Sequence, residues 1–440
     1  MSAVIGNRAA FDRLRRVGMA VPMQPMLGRV TSATGTIIRA IAPNVRVGEL
    51  CRLTDETGFS LFAEVVGLAG VEALMTPIGD LRGVSGRTEV RPTGTFREAP
   101  VGSRLLGRVV DALGEPMDGR GPIGAGPMRP LHGLPPNALS RQLVEHPMSL
   151  GLRVMDGLLT VGEGQRIGIY GEAGGGKSTL VSQIVRGAAA DVAVIALVGE
   201  RGREVREFLE RALGPEGLAR SVVVVATSER PAPERLSAAL VATSIAEEFR
   251  DQGMKVLLFV DNVTRLARAG REIGLSAGEP PTRRGFPPSV FAAMPQLMER
   301  AGPGETGSIT AFYAVLVEEG TGDPIAEETR GILDGHIILS RSLAAANHYP
   351  AVDVLLSRSR VMPAVTSKEH GRVAGRFREL MSKHAEVEFL IQVGEYKPGS
   401  DALVDEAVAK IDHLRAFLRQ STDEHTPYEE TLAWMTQLVG

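Results

Sequence analysis

The 440-residue chain predicts an α/β fold in three parts: an N-terminal β-barrel, a central domain built on a mainly parallel sheet, and a C-terminal helical domain. Three observations predict it. Short β-rich runs broken by turn residues come first, near-continuous apolar runs alternating with helical segments follow, and the strand signal stops beyond Pro363. The expected division is a segment 1–25, a barrel 26–94, a layered domain 95–363 and a helical domain 364–440.

Within the first segment, FDRLRRVG (11–18) sets Phe11, Leu14 and Val17 at helical spacing among Arg13, Arg15 and Arg16, which predicts a short amphipathic helix packed on its own domain or used as a contact. From Met26 to Gly94, runs such as GRVTSATGTIIRAI, LFAEVVGLAG and ALMTPIG are punctuated by Gly, Pro, Asn and Asp about every ten residues, the pattern of a small barrel. Between residues 24 and 94 seven Arg balance seven acids, and the aromatics are Phe59 and Phe62. A barrel that read single-stranded RNA needs more rings and more positive charge.

The Pro- and Gly-rich passage 111–136 reads as a linker or an ordered surface loop. After it come RIGIYG (166–171), DVAVIALVG (191–199), SVVVVAT (221–227), KVLLFVD (255–261), SITAFYAVLV (308–317) and HIILSR (336–341). Strands this apolar throughout are buried on both faces, as in a parallel sheet covered by helices. Beyond Pro363, GRVAGRFRELMSKHAEVEFLIQVG and DEAVAKIDHLRAFLRQ carry helical periodicity.

A 43% apolar composition with mixed-sign charge excludes disorder, and a net charge of −3 offers no global case for binding nucleic acid or a membrane surface. The single cysteine, Cys51, has no internal partner for a disulfide. The first residues lack a secretory core and no run approaches the roughly 20 apolar residues of a membrane span. A cytoplasmic address is expected, with any membrane association peripheral or through partners.

Chemistry is concentrated in three places. Gly171-Glu172-Ala173-Gly174-Gly175-Gly176-Lys177-Ser178 fits G-x-x-x-x-G-K-[ST], directly follows the strand RIGIY and opens the helical TLVSQIVRGA. Glycines let successive N–H groups turn toward the β-phosphate of ATP, the helix start adds a positive dipole end, Lys177 bridges the β- and γ-phosphates, and the Ser178 hydroxyl binds Mg²⁺. Thr179 is counted with the loop among the nucleotide-binding residues. KVLLFVD ends in Asp261, placed after the phosphate loop to hold the Mg²⁺ shell through water; alone, such a run is more often a turn or a helix cap. DVAVIALVG ends in Glu200, where a carboxylate polarises the attacking water, unless Glu200 and its arginine neighbours are solvated surface pairs.

The segments GERGREVREF (199–208), VDNVTRLARAGREIGLSAGEPP (260–281), GFPPSVFAAMPQLMERAG (285–302), GSITAFYAVLVE (307–318), RGILDGHIILSR (330–341) and NHYPAVDVLLSRSRVM (347–362) resemble the hexameric ATPases related to the catalytic β subunit of F-type ATP synthase. Specifically the chain resembles the type III secretion ATPases of flagella and injectisomes, from about residue 26 onward. The resemblance implies a P-loop NTPase core of the RecA-like type. It implies that Glu200 activates water beside Arg201, that Glu204 is a second acid near Mg²⁺, that Asp261 serves the metal and that Arg265 orders the catalytic face. Tyr349 matches the residue that stacks on adenine, where the residues alone suggest a core tyrosine. Arg360 matches an arginine finger reaching a neighbouring subunit, with Arg358 a nearby rival.

The same resemblance implies a homohexamer energising protein export, at the cytoplasmic face of the inner membrane through its partners. Those partners are a coiled-coil stalk protein, a negative-regulator or stator protein, and export chaperones with their substrates; nucleic acid is not expected. APNVRVGELCRL, GKSTL, GEYKPGSD and FLRQSTDE favour the injectisome branch. The chain departs from the pattern at Asn262, where many secretion ATPases have Ser, at EEGTGD (318–323), and at 394–401, which is less acidic than the stalk-facing loop of the synthases. Competing readings are a rotary ion-pump catalytic subunit, an RNA-dependent translocase on the same core and a non-catalytic nucleotide-binding scaffold; Glu200 and Lys177 together oppose the last.

Overall fold

The computed structural model describes residues 27–172, 174–317 and 322–439. The segment 1–25 with its expected helix, the loop residue Ala173 and most of the 318–323 passage lie outside the described residues. The chain divides into two compact units, one ending at Phe96 and one beginning at Arg97.

The first unit is a closed six-stranded barrel of β1 (Gly28–Thr34), β2 (Ile37–Ile41), β3 (Glu49–Thr54), β4 (Ser60–Ala69), β5 (Glu72–Ile78) and β6 (Glu89–Phe96), in the order β1-β2-β5-β4-β3-β6. Alternate residues such as Val30, Ile38, Leu53, Ala63, Met75 and Val90 fill its interior. Closure sets Gly28 opposite Val90, and a Cβ on Gly28 would lie 2.2 Å from the Ile41 carbonyl oxygen. Only glycine fits there. The strand run GRVTSATGTIIRAI proves to be a hairpin, β3 lies in a stretch not singled out for strand pattern, and β6 runs across residue 94. Cys51 is fully buried, and burial pushes its thiol up to about 11, which leaves it unreactive. Phe59 packs against the barrel core, whereas Phe62 is exposed.

The second unit is built on β7 (Val109–Asp111), β8 (Arg166–Gly171), β9 (Val192–Val198), β10 (Ser221–Ala226), β11 (Lys255–Asp261), β12 (Ser308–Leu316), β13 (Gly335–Ile338) and β14 (Arg358–Ser359). The order is β14-β13-β8-β12-β11-β9-β10-β7, parallel except for the edge strand β14 and a short pairing of 302–303 with β12. β9 shows why its strands are apolar throughout. Val192, Val194, Ala196 and Val198 enter the core under α2 (Ala232–Asp251), α3 (Val263–Ala277) and α4 (Pro288–Met298), while Ala193, Ile195 and Leu197 enter the core on the other face.

That other face is covered by α1 (Lys177–Gly187) and by the C-terminal helices α6 (Lys368–Gln392), α7 (Ala402–Leu418) and α8 (Tyr428–Val439); α5 (Pro324–Ile332) borders the first core. Phe377, Phe417 and Trp434 form a chain of rings with centroids 5.3 and 5.4 Å apart, which binds the three helices to one another. Arg153 binds them to the sheet domain. Its Nε donates to the Phe417 carbonyl at 2.8 Å, its N–H to the Gln420 side chain at 2.8 Å, and its guanidinium lies over the Trp434 ring and pairs with Glu424. The passage 111–136 is ordered: Met128–Pro130 pairs with Glu98–Pro100, and Arg108 and Asp118 close it at 2.7 Å. Under α4, Arg300 meets Glu247 through two bonds of 2.8 Å, both side chains almost wholly buried.

Candidate active site

Strand β8 delivers the chain to the glycine loop at the carboxyl edge of the sheet, and α1 leaves from it. Gly174 and Gly176 both sit at φ +83°, a left-handed conformation costly for any residue with a Cβ. Gly175 N–H donates to the Glu172 carbonyl at 3.2 Å and tightens the turn, while the Glu172 carboxylate pairs with Arg341 at 3.2 Å. Among the described residues no side chain caps α1, so its first-turn N–H groups face the loop. Ser178 is exposed there and Thr179 half-buried.

The register brings the other predicted groups to the same edge. Leu197 stands opposite Asp261 and Asp261 opposite Ala314, so β9, β11 and β12 end level with one another beside the loop. Lys177 Nζ lies 2.5 Å from Asp261 Oδ1 and 3.8 Å from Glu200 Oε1. Glu200 Oε1 also accepts from Asn262 Nδ2 at 3.0 Å, and its Oε2 faces Arg265 Nη1 at 2.8 Å. Asn262 in turn caps α3, accepting from the Arg265 N–H at 2.9 Å. Thus one asparagine, absent from the sequence-predicted site, fixes both the acid and the helix that carries its arginine.

Burial and the neighbouring Asp261 push the Glu200 carboxyl up to about 7, against the pull of Lys177 and Arg265. Glu204 shares a hydrogen bond with Glu200 and is held below the ordinary carboxylate range by it. Arg201 lies 3.7 Å from Glu204 with its side chain largely exposed.

Tyr349 packs against the far end of the loop: a Cβ on Gly176 would stand 3.1 Å from its ring. A cavity of about 360 Å³ opens beside it, lined by Thr179, Asn347, Tyr349, Arg419, Gln420 and Thr422 among others. The Gln420 N–H donates to the Tyr349 carbonyl at 2.8 Å. Residues 419–422, from the end of α7, carry no local signal for this role, because they meet Tyr349 only through the packing of the helical segment. A cavity of about 440 Å³ between α2, α3, α4 and residues 132–135 is apolar and contains none of the predicted residues.

Arg360 is not in this group. Its N–H donates to the Asp334 carbonyl, and the Asp334 N–H donates to the Arg166 carbonyl, so Arg360 is level with the first residue of β8. The loop follows the last residue. Five steps along a strand separate them by roughly 17 Å, beyond the reach of one guanidinium. Arg358 and Arg360 are both exposed, on edge strand β14 and immediately after it.

A parallel sheet with a glycine loop, a loop lysine and carboxylates at neighbouring strand ends defines a P-loop nucleotide-binding ATPase with a RecA-like core. Its N-terminal unit matches the ATP synthase alpha/beta family β-barrel domain over residues 30–94, its centre that family's nucleotide-binding domain over 151–359, and its C-terminal helices the T3SS EscN ATPase C-terminal domain over 366–437. The chain belongs to the type III secretion system ATPases. It is 63% identical to the type 3 secretion system ATPase of Sinorhizobium fredii, covering 98% of this chain and 96% of the relative, and 56% identical to that of Xanthomonas euvesicatoria, covering 94% of each. A flagellum-specific ATP synthase of Bacillus subtilis is 48% identical, over 94% of this chain and 95% of the relative. The structure of the assembled ATPase EscN from the enteropathogenic E. coli type III secretion system superposes with a TM-score of 0.89 at 46% identity, over 94% of this chain and all of that one. These relations place the chain on the secretion side of the family, as the injectisome-like segments predict, and do not favour a rotary pump or an RNA translocase. Among the described residues no helix is long and apolar enough to cross a membrane.

Proposed function

We propose that this ATPase hydrolyses ATP at sites shared between neighbouring subunits of a homohexameric ring. One observation carries the reading: the Glu200 carboxylate is held between Lys177 and Arg265 at the strand ends beside the glycine loop, with its proton affinity near neutrality. An acid so placed takes a proton from water as the water attacks the γ-phosphate. The loop N–H groups and Lys177 bind the phosphates, Tyr349 and the 419–422 turn bind the base, and Arg201 and Glu204 set the polarity around Glu200. Ser178 and Asp261 supply oxygen donors suited to Mg²⁺, a hard cation that keeps most of its waters, and no cluster of three His, Cys or acidic side chains among the described residues offers a rival metal site. Bound there, Mg²⁺ neutralises charge on the transferring phosphoryl group.

Arg360, at the opposite end of the sheet from its own loop, serves as the finger for the next subunit. A guanidinium in trans is worth roughly 10³ to 10⁵ in rate. A ring with such head-to-tail interfaces needs both elements on every copy, and this chain has both. EscN is described in complex with its central stalk EscO, and the tip between α6 and α7, where Phe389 and Val393 are exposed beside residues 394–401, suits the same kind of partner here. A regulator, export chaperones and their substrates, and a place at the inner membrane through such partners, complete the proposal on the strength of the family resemblance.

The test is the ATPase rate per subunit against protein concentration, with oligomeric state read on the same samples. The proposal expects a steep rise on assembly and losses of at least about 10³-fold in Glu200→Gln and Arg360→Ala. A rate independent of concentration, with Arg360→Ala fully active, would refute the shared site.

A further inference from the structure

Helix α1 reaches beyond the glycine loop it follows. Its first residues, Lys177 and Ser178, close that loop, and Thr179 lines the cavity beside Tyr349. Gln183 lies four residues after Thr179, and Arg186 three after Gln183, so the three share one side of the helix. That side meets the turn that follows α7. Gln183 Nε2 donates to the Ser421 carbonyl at 3.1 Å, and Arg186 Nη2 donates to the Thr422 carbonyl at 2.9 Å. Ser421 and Thr422 line the same cavity as Thr179 and Tyr349.

Packing alone does not account for Gln183. It is 5% exposed, among the core residues Leu180, Val181, Ile184 and Val185, where an aliphatic side chain would fill the space with no amide to satisfy. Its Oε1 has no hydrogen-bond partner among the described residues, so its bond to Ser421 is the amide's one tie to the protein. A buried acceptor left unmatched costs stability. What the amide N–H holds explains the residue better than the core it occupies.

The turn is also held from its other side. Gln420 Nε2 donates to the Gly151 carbonyl at 2.7 Å, and the Ser421 N–H donates to Glu424 at 3.3 Å. The neighbouring Leu150 is pressed against the end of α1, since a Cβ on Gly187 would lie 2.2 Å from its carbonyl oxygen. The spacing between the glycine loop and the turn is thus set within one packed group, in which Gln183 and Arg186 tie the turn directly to α1.

We infer that Gln183, assisted by Arg186, is a positioning residue for nucleotide binding. It holds the 421–422 carbonyls at the distance from Tyr349 that admits a nucleobase, while the first turn of the same helix receives the phosphates. The inference rests on the reading that Tyr349 and the 419–422 turn bind the base. Both residues act through the turn, so a ligand without a base gains nothing from them.

The test uses the full-length protein and compares MgATP with inorganic tripolyphosphate, which has phosphates and no base. KM and kcat for ATP, and the inhibition constant of tripolyphosphate, are measured for wild type, Gln183→Met, Arg186→Met and Tyr349→Ala, with urea unfolding of each. Gln183→Met keeps the length and the apolar fit but removes the donor. It should raise KM for ATP about five- to tenfold, with kcat and the tripolyphosphate constant within about twofold of wild type. Arg186→Met, at a partly exposed position, should move KM the same way by about threefold. An unchanged KM in both variants, with Tyr349→Ala raising it, would overturn the inference and leave the reading of the base site standing. Equal losses for ATP and tripolyphosphate in Gln183→Met, together with lowered resistance to urea, would also overturn it by making Gln183 a structural residue of α1. If Tyr349→Ala bound ATP as wild type does, the reading of the base site would fail and the inference with it.

Discussion

Glu200 shows how placement changes the proton affinity of an ordinary side chain. Its carboxyl is buried, faces Asp261 and shares a hydrogen bond with Glu204, and these raise its proton affinity against two nearby cations. The sign of the consequence follows from linkage: a carboxyl that titrates at about 7 in the folded chain and at 4.5 when unfolded binds more protons folded throughout that interval. Its contribution is present in full below 4.5 and is lost as pH rises through 7. Without added nucleotide, the stability of the wild type measured by urea unfolding should therefore fall more steeply between those values than that of Glu200→Gln, whose amide keeps the donor of the protonated acid. Equal slopes would show that Glu200 titrates normally. Lys177, Ser178, Asp261 and Glu200 were legible in the sequence because each sits at a strand end or in a loop of fixed spacing, so one dimension suffices to find them. Asn262 and Gln420 were not legible as site residues. Their roles depend on which atoms packing brings within 3 Å, and Gln420 meets a residue 71 positions away.

At the scale of elements, the doubly buried strands were legible because a run such as VLLFV has no polar face to give to water. Strands of two or three residues, β7 and β14, were not: they are too short for a period and exist because a neighbouring edge offers its N–H and C=O groups. The helical segment was recognised, but not that its helices share a core with the sheet. Arg153 makes that dependence testable. It is almost wholly buried, yet it holds the end of α7 through the Phe417 carbonyl and Gln420, the same residue whose N–H steadies Tyr349. Arg153→Met should cost roughly 3 kcal/mol in urea unfolding and weaken ATP binding together, since orphaned carbonyls and Glu424 lose their donor. A loss below about 1 kcal/mol with normal nucleotide affinity would mean the helical segment docks without this clamp.

At the scale of the whole molecule, the groups proposed to act together lie at opposite edges of the sheet. The glycine loop, Glu200 and Asp261 occupy the carboxyl edge of the sheet, while Arg360 stands level with the opposite edge. The family resemblance implies a finger in trans at Arg360, with Arg358 a rival, but the geometry that keeps it from its own loop was not legible, because the direction of an edge strand is settled only by pairing. The antiparallel pairing of β14 with β13 carries Arg360 away from its own loop. The most direct measurement mixes Glu200→Gln and Arg360→Ala subunits, each inactive alone, in equal amounts before assembly. If Arg360 acts on the neighbouring site, interfaces that join an intact Glu200 to an intact Arg360 re-form, and the mixture regains about one quarter of the wild-type rate for independent sites. If the mixture stays as inactive as its components while assembling normally, both groups serve the same subunit and the shared-site account is wrong.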